Sequence, residues 1–190
     1  MTLAPEDQGR ANFYALLSRL FYAPADRALL EALAIADELE AEDEALAGRW
    51  RELCAAAAKA DPEEVREEYE TAFVSTGRAP ITLYTSAYSV RYTNEVPLAD
   101  LRGELAKLGL ARRREAGEPE DHLAALCDVM RHLVSQDLEQ QREFFSRWIQ
   151  PTVEPLCAAV DKSEHTHFYK YVGRMAKAFF LLEQSAFEML

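Results

Sequence analysis

The chain is poor in turn-forming residues, with 7 glycines and 8 prolines among 190 residues. The glycines are scattered, which argues against a β-sandwich or a glycine-rich phosphate cradle. No GxxxxGK[ST], GxGxxG or Gly-x-Ser-x-Gly pattern occurs, so the usual signatures of nucleotide hydrolysis, dinucleotide binding and the hydrolase elbow are missing. Cysteine is equally sparse. Cys54, Cys127 and Cys157 form no CxxC pair and each falls in an apolar helical stretch, as expected of reduced core thiols in a cytosolic protein. Basic residues are outnumbered, 21 Lys and Arg against 33 Asp and Glu, for a net charge of −12. A field of that sign repels nucleic-acid phosphate and anionic lipid, so no nucleic-acid partner is expected. No apolar run approaches the ~18 residues needed to span a bilayer, and residues 1–9 show no secretory leader. The reading is a cytoplasmic protein without stable membrane insertion.

What is abundant is alanine, leucine and glutamate, so helix propensity is high almost throughout. The expected fold is all-α: one domain over residues 1–190, a bundle of about eight helices with one long irregular central connection. The first helix carries Phe13, Leu16, Leu17, Leu20 and Phe21 at helical spacing and stops before Pro24. Asp26 can cap a second helix through Leu29, Leu33, Ala36 and Leu39. A third presents Leu46, Trp50, Leu53, Cys54 and Ala57. Asp61-Pro62-Glu63-Glu64 is a strong helix start, and the helix after it should bury Val65, Tyr69, Ala72 and Phe73.

From Ser75 to Val96 the period breaks in a stretch rich in Thr, Ser and Tyr. Ile81–Tyr84 has strand propensity but no partner strand, so an irregular segment is expected, of a length that is commonly functional. Helical pattern returns at Pro97 with Leu98, Leu101, Leu105 and Leu108, closed by Gly109. A basic tract, Arg112–Arg114, comes next. Later helices are expected through Leu138, Phe145, Trp148 and Ile149 up to Pro151, through Val153–Val160 with Pro155 in the first turn, and through Phe168, Val172, Met175, Phe179, Leu182 and Ala186.

The densest chemistry lies at GEPEDHLAALCDVMRHLV, residues 117–134. Leu123, Leu126, Cys127, Met130, Leu133 and Val134 make an apolar helix face. Glu118, Pro119, Glu120, Asp121 and His122 crowd its start, where negative charge in a first turn offsets the helix macrodipole. Three acids and a histidine exceed what a cap needs. Glu118, Asp121 and His122, with His165 and His167, could also ligate a metal, an alternative reading of the chain as a helical metal-binding protein. The Glu-x-x-His motifs of di-iron bundles are absent. Nothing in the residues supports an enzyme.

Glu118-Pro119-Glu120-Asp121-His122-Leu123 resembles the E-P-x-D-H-L signature of the TorD/DmsD/NarJ family of redox-enzyme maturation chaperones. Upstream, Phe73, Pro80, Leu83, Tyr84, Ser86 and Tyr88 resemble that family's Phe…Pro…aromatic-x-Ser-x-Tyr segment. Downstream, Glu143-Phe144-Phe145 through Trp148 and Pro151 resembles its Phe-Phe…Pro stretch. Leu83-Tyr84 stands where relatives often place a tryptophan. The resemblance implies a cytoplasmic chaperone, without catalysis or cofactor of its own. Its expected partners are the twin-arginine signal peptide and the apo catalytic subunit of a molybdopterin oxidoreductase of the dimethyl-sulfoxide-reductase type, held back until its cofactor is inserted. The chaperone itself would be a monomer or homodimer. An acidic groove with aromatic walls suits a basic head joined to an apolar helix. On that reading Glu118, Asp121 and His122, with Pro119, receive the arginines. Tyr69, Phe73, Tyr84 and Tyr88 line the groove, and Ser86 is a polar anchor.

Overall fold

A computed structural model describes residues 3–39, 43–74, 79–89 and 97–189. The described residues form ten α-helices and no strand, which bears out the all-α expectation. They are α1 (Pro5–Tyr22), α2 (Arg27–Ala34), α3 (Glu44–Ala57), α4 (Pro62–Tyr69), α5 (Ser86–Ser89), α6 (Pro97–Lys107), α7 (Leu123–Leu133), α8 (Leu138–Phe144), α9 (Gln150–Lys162) and α10 (Phe168–Glu188). Two compact units share them, each drawn from two stretches of chain: Met1–Tyr22 with Leu83–Thr152, and Ala23–Thr82 with Val153–Leu190.

In the first unit α1 packs along α7. Tyr14, Leu17, Leu20 and Phe21 are buried on one side, and Leu123, Leu126, Cys127, Met130 and Leu133 on the other. The buried face of α1 is turned slightly from the expected stripe, since Phe13 and Leu16 are only half-buried. Gln141 is a buried polar residue with no apolar-pattern signal. Its amide donates to the carbonyls of Val134 and Gln136, and its Oε1 accepts from Arg10 Nη2 at 2.8 Å. The carboxy-terminal end of α6 is closed by a Schellman motif: Gly109 takes φ 71°, Gly109 N–H donates to Ala106 O and Leu110 N–H to Leu105 O. A side chain at Gly109 would meet the left-handed penalty that glycine avoids.

In the second unit α10 packs on α3 and α4. Asp61 caps α4 as its sequence suggested, accepting from the amides of Glu63 and Glu64. Tyr69, Phe73 and Tyr169 form an aromatic cluster with centroids 5.2–5.5 Å apart. The start of α10 is held from afar: Glu68 accepts from the amides of Phe168 and Tyr169 at 2.9 and 2.7 Å.

Several expectations are corrected. Helix α2 ends at Ala34, short of Ala36 and Leu39. Pro151 does not end its helix, because a π-helical turn over Phe145–Ile149 precedes it. There Gln150 N–H reaches back to Phe145 O, and this wider turn lets the chain continue into α9 despite the missing proline N–H. Pro155 therefore lies inside α9 rather than in a first turn. Leu138 is exposed. At the end of α10 Leu182 and Ala186 are exposed, and Glu183 is buried.

The central connection is described only over residues 79–89; positions 75–78 and 90–96 lie outside the described residues. Within it Ile81 and Leu83 are buried, Tyr84 makes a single antiparallel bridge and α5 is one helical turn.

Candidate functional site

The bridge partner of Tyr84 is His122, so the irregular connection docks on the charged motif itself. Thr85 N–H donates to Asp121 O at 2.8 Å and Leu123 N–H to Leu83 O at 2.8 Å. Thr85 Oγ1 adds a third bond, to Asp121 O at 3.1 Å. Thr85 is 3% exposed, and its neighbours Tyr84 and Ser86 belong to the family-like pattern while it does not. No propensity scale marks a two-residue pairing of this kind, because its stability comes from tertiary context.

This pairing moves the start of the helix. Glu118, Glu120 and Asp121 do not occupy a first helical turn, because α7 begins at Leu123. They sit in the turn before it, where His122 N–H donates to Pro119 O at 3.2 Å. His122 is the N-cap: its Nδ1 accepts from Ala124 N–H at 3.2 Å. That role requires an unprotonated Nδ1, and the burial of the ring pushes the His122 pKa below its ordinary value, against the opposing pull of Glu118 and Asp121.

Each acid has a different partner. Glu118 Oε2 accepts from the Tyr84 hydroxyl at 2.7 Å, and this bond, with burial, pushes the Tyr84 pKa up to about 12. The Tyr84 ring stands edge-on to His122 at 5.5 Å. Glu120 binds Arg102 in a two-pronged pair, Nε to Oε1 and Nη2 to Oε2, both 3.0 Å, which holds the Glu120 pKa below the usual carboxylate range. Asp121 is 5% exposed. Its Oδ2 accepts a hydrogen bond from Ser86 Oγ, and its Oδ1 is buried without a partner among the described residues. A buried acceptor left unpaired costs about 1–3 kcal/mol, and more when charged.

Asp121 opens on a hollow of about 500 Å³. Its walls include the apolar Ala87, Pro97, Leu98 and Ala99, with Ser86 and Arg102 at its polar edge. The connection, α5, α6 and the motif thus bring together Tyr84, Ser86, Glu118, Pro119, Asp121 and His122. Tyr88 lies further along α5, half-buried, its N–H donating to Thr85 O. Tyr69 and Phe73 belong to the second unit, buried in its aromatic cluster. Arg102 was invisible to sequence reasoning, since nothing local distinguishes it from any exposed helix arginine.

Residues 39–176 match the family model described as nitrate reductase delta subunit. The chain belongs to that family. Nitrate reductase delta proteins are maturation chaperones of molybdoenzymes, within the wider TorD/NarJ group. The matched span takes in the connection, the motif and the π-helical turns over Glu70–Val74 and Phe145–Ile149. The comparison with curated proteins gives no match. Among the described residues no three His, Cys, Asp or Glu side chains are grouped to hold a metal ion, so the metal-binding alternative finds no ligand set there. No helix among them is long and apolar enough to cross a membrane.

Proposed function

We propose that this delta-family chaperone acts in the cytoplasm, without catalysis of its own, and binds the basic leader of a molybdopterin oxidoreductase. The family's name favours a nitrate-reductase-type catalytic subunit as the client. The leader is of the twin-arginine type, a basic head joined to an apolar helix-forming stretch, and the client is held in its apo form until the cofactor is inserted. The observation that carries this reading is the buried, half-paired carboxylate of Asp121, opening on a hollow with apolar walls. A cationic group supplies the missing donor, and the apolar walls accept the hydrophobic residues attached to it. Glu118, bonded to the partly exposed Tyr84, adds a second carboxylate in the same motif, and a net charge of −12 steers a basic peptide toward it.

The test is maturation. The client catalytic subunit is expressed with the wild-type chaperone, with an Asp121→Asn variant and with none, and the molybdenum content of the purified subunit is measured. The expected order is highest with wild type and lowest without the chaperone, the variant lying near the lower end. Equal molybdenum loading in all three contradicts the reading.

A further inference from the structure

The same hollow also specifies which cation it takes. We propose that it receives a primary ammonium group of the client, a lysine side chain or a free N-terminal amine, with Asp121 Oδ1 as its acceptor. The inference rests on the leader-binding reading and deepens it.

Of the two oxygens of Asp121, one has a donor and one has none. Ser86 Oγ–H already donates to Oδ2, and Oδ1 is the buried atom left without a partner among the described residues. A guanidinium owes its advantage to two parallel N–H···O bonds to both oxygens of one carboxylate, whereas an ammonium is a compact point donor that needs only one. The chain supplies its own comparison. Arg102 borders the hollow, and its guanidinium binds Glu120, whose two oxygens take Nε and Nη2 at 3.0 Å each. The planar fork is matched to the two-oxygen acceptor, and Asp121 Oδ1 is the buried oxygen left without a donor among the described residues. Arg102 donates to Glu120 and makes no hydrogen bond to Asp121 Oδ1. Ala87, Pro97, Leu98 and Ala99 give the walls that a methylene stem packs on while its charged end reaches an oxygen. An arginine pair in the same leader would then be met outside this hollow, with Glu118 of the motif as the candidate acceptor.

The experiment is calorimetric titration of the full chain with four synthetic peptides. The first is N-acetylated and holds an arginine pair, one lysine and an apolar helical stretch. The second replaces the lysine by arginine and the third by acetyl-lysine. The fourth lacks lysine but keeps a free N-terminal amine. With the wild-type chain the second and third are expected to bind about tenfold more weakly than the first, a change of about 1.4 kcal/mol. If the fourth matches the first, a free N-terminal amine fills the hollow as well as a lysine does; if it matches the third, only the lysine does. Ser86→Ala frees Oδ2 and is expected to shrink or reverse the lysine preference. In Asp121→Asn the first three peptides should bind alike. Equal or tighter binding of the arginine peptide by wild type, or an unchanged preference in Ser86→Ala, overturns the proposal and leaves leader binding standing. Absence of binding by all four peptides overturns both.

Discussion

Replacing Glu68 by alanine should loosen the start of α10, the longest helix of the second unit. His167 at its N-cap has φ −120° and ψ −65° and makes no side-chain cap bond. Glu68, 100 residues earlier in the chain, does the capping instead, with one carboxylate oxygen on Phe168 N–H and the other on Tyr169 N–H. Both amides belong to buried residues, and Glu68 itself is 9% exposed. Hydrogen bonds to a charged group contribute about 1.5–3 kcal/mol each, and a carboxylate at a partly buried helix N-terminus gains up to about 2 kcal/mol from the macrodipole. These overlap, so Glu68→Ala is expected to cost about 2–4 kcal/mol. Glu68→Gln retains one acceptor oxygen and the side-chain volume, and should cost about half as much. For a chain of this size each kcal/mol lowers Tm by about 2–4 °C, so the alanine variant should melt roughly 4–16 °C below wild type. Urea denaturation followed by far-ultraviolet circular dichroism measures both variants. A Glu68→Ala stability within about 0.5 kcal/mol of wild type, or a glutamine variant less stable than the alanine one, refutes the capping argument.

A Cβ added at Gly173 would lie 2.8 Å from Val160 Cγ1, so Gly173→Ala should destabilise by about 1–3 kcal/mol despite its better helix propensity. Val160→Ala in the same chain should recover most of that loss, and additive losses in a denaturation double-mutant cycle would contradict the clash. His122 titrates below its ordinary value of 6.5 in the folded chain. As pH falls below about 6.5 the unfolded chain takes up a proton before the native one does, so native stability drops through that window. His122→Asn keeps a capping acceptor without the titration and should flatten urea midpoints measured between about pH 7.5 and 5.5; a parallel pH dependence would refute the assignment. Cys127 and Cys157 are buried, with the Cys157 thiol pushed up to about 12, while Cys54 is only half-buried. A thiol reagent should therefore modify Cys54 first in the native chain, and undiminished early labelling of Cys54→Ala would contradict this.

Helix periodicity in the sequence recovers the elements whose one face is simply apolar. Asp26, Asp61 and Gly109 mark their helix ends as side-chain and glycine chemistry requires. Leu123 to Leu133 likewise forms the expected buried face. Reading fails where tertiary contacts decide. Pro151 looked like a stop because the helix rule assumes an α turn before it, and the π turn over Phe145–Ile149 removes that premise. The acids of the motif looked like a first turn because Pro119 favours that position, yet pairing with Leu83–Thr85 delays α7 to Leu123. The motif residues were legible as a group, but their division of labour was not. Glu120 is matched by Arg102, Glu118 by Tyr84 and Asp121 only in half, and such pairings are set by elements distant in sequence.

Calorimetric titration of the full chain with a twin-arginine leader peptide, at about 0.05 M and about 0.5 M salt, measures whether the acidic motif receives a basic head. Binding is expected to be saturable, to weaken by about tenfold at the higher salt, where the screening length shrinks to a few ångströms, and to be lost in an Asp121→Ala/His122→Ala variant which still folds. Affinity indifferent to salt, or full binding by the double variant, would contradict this reading of the motif.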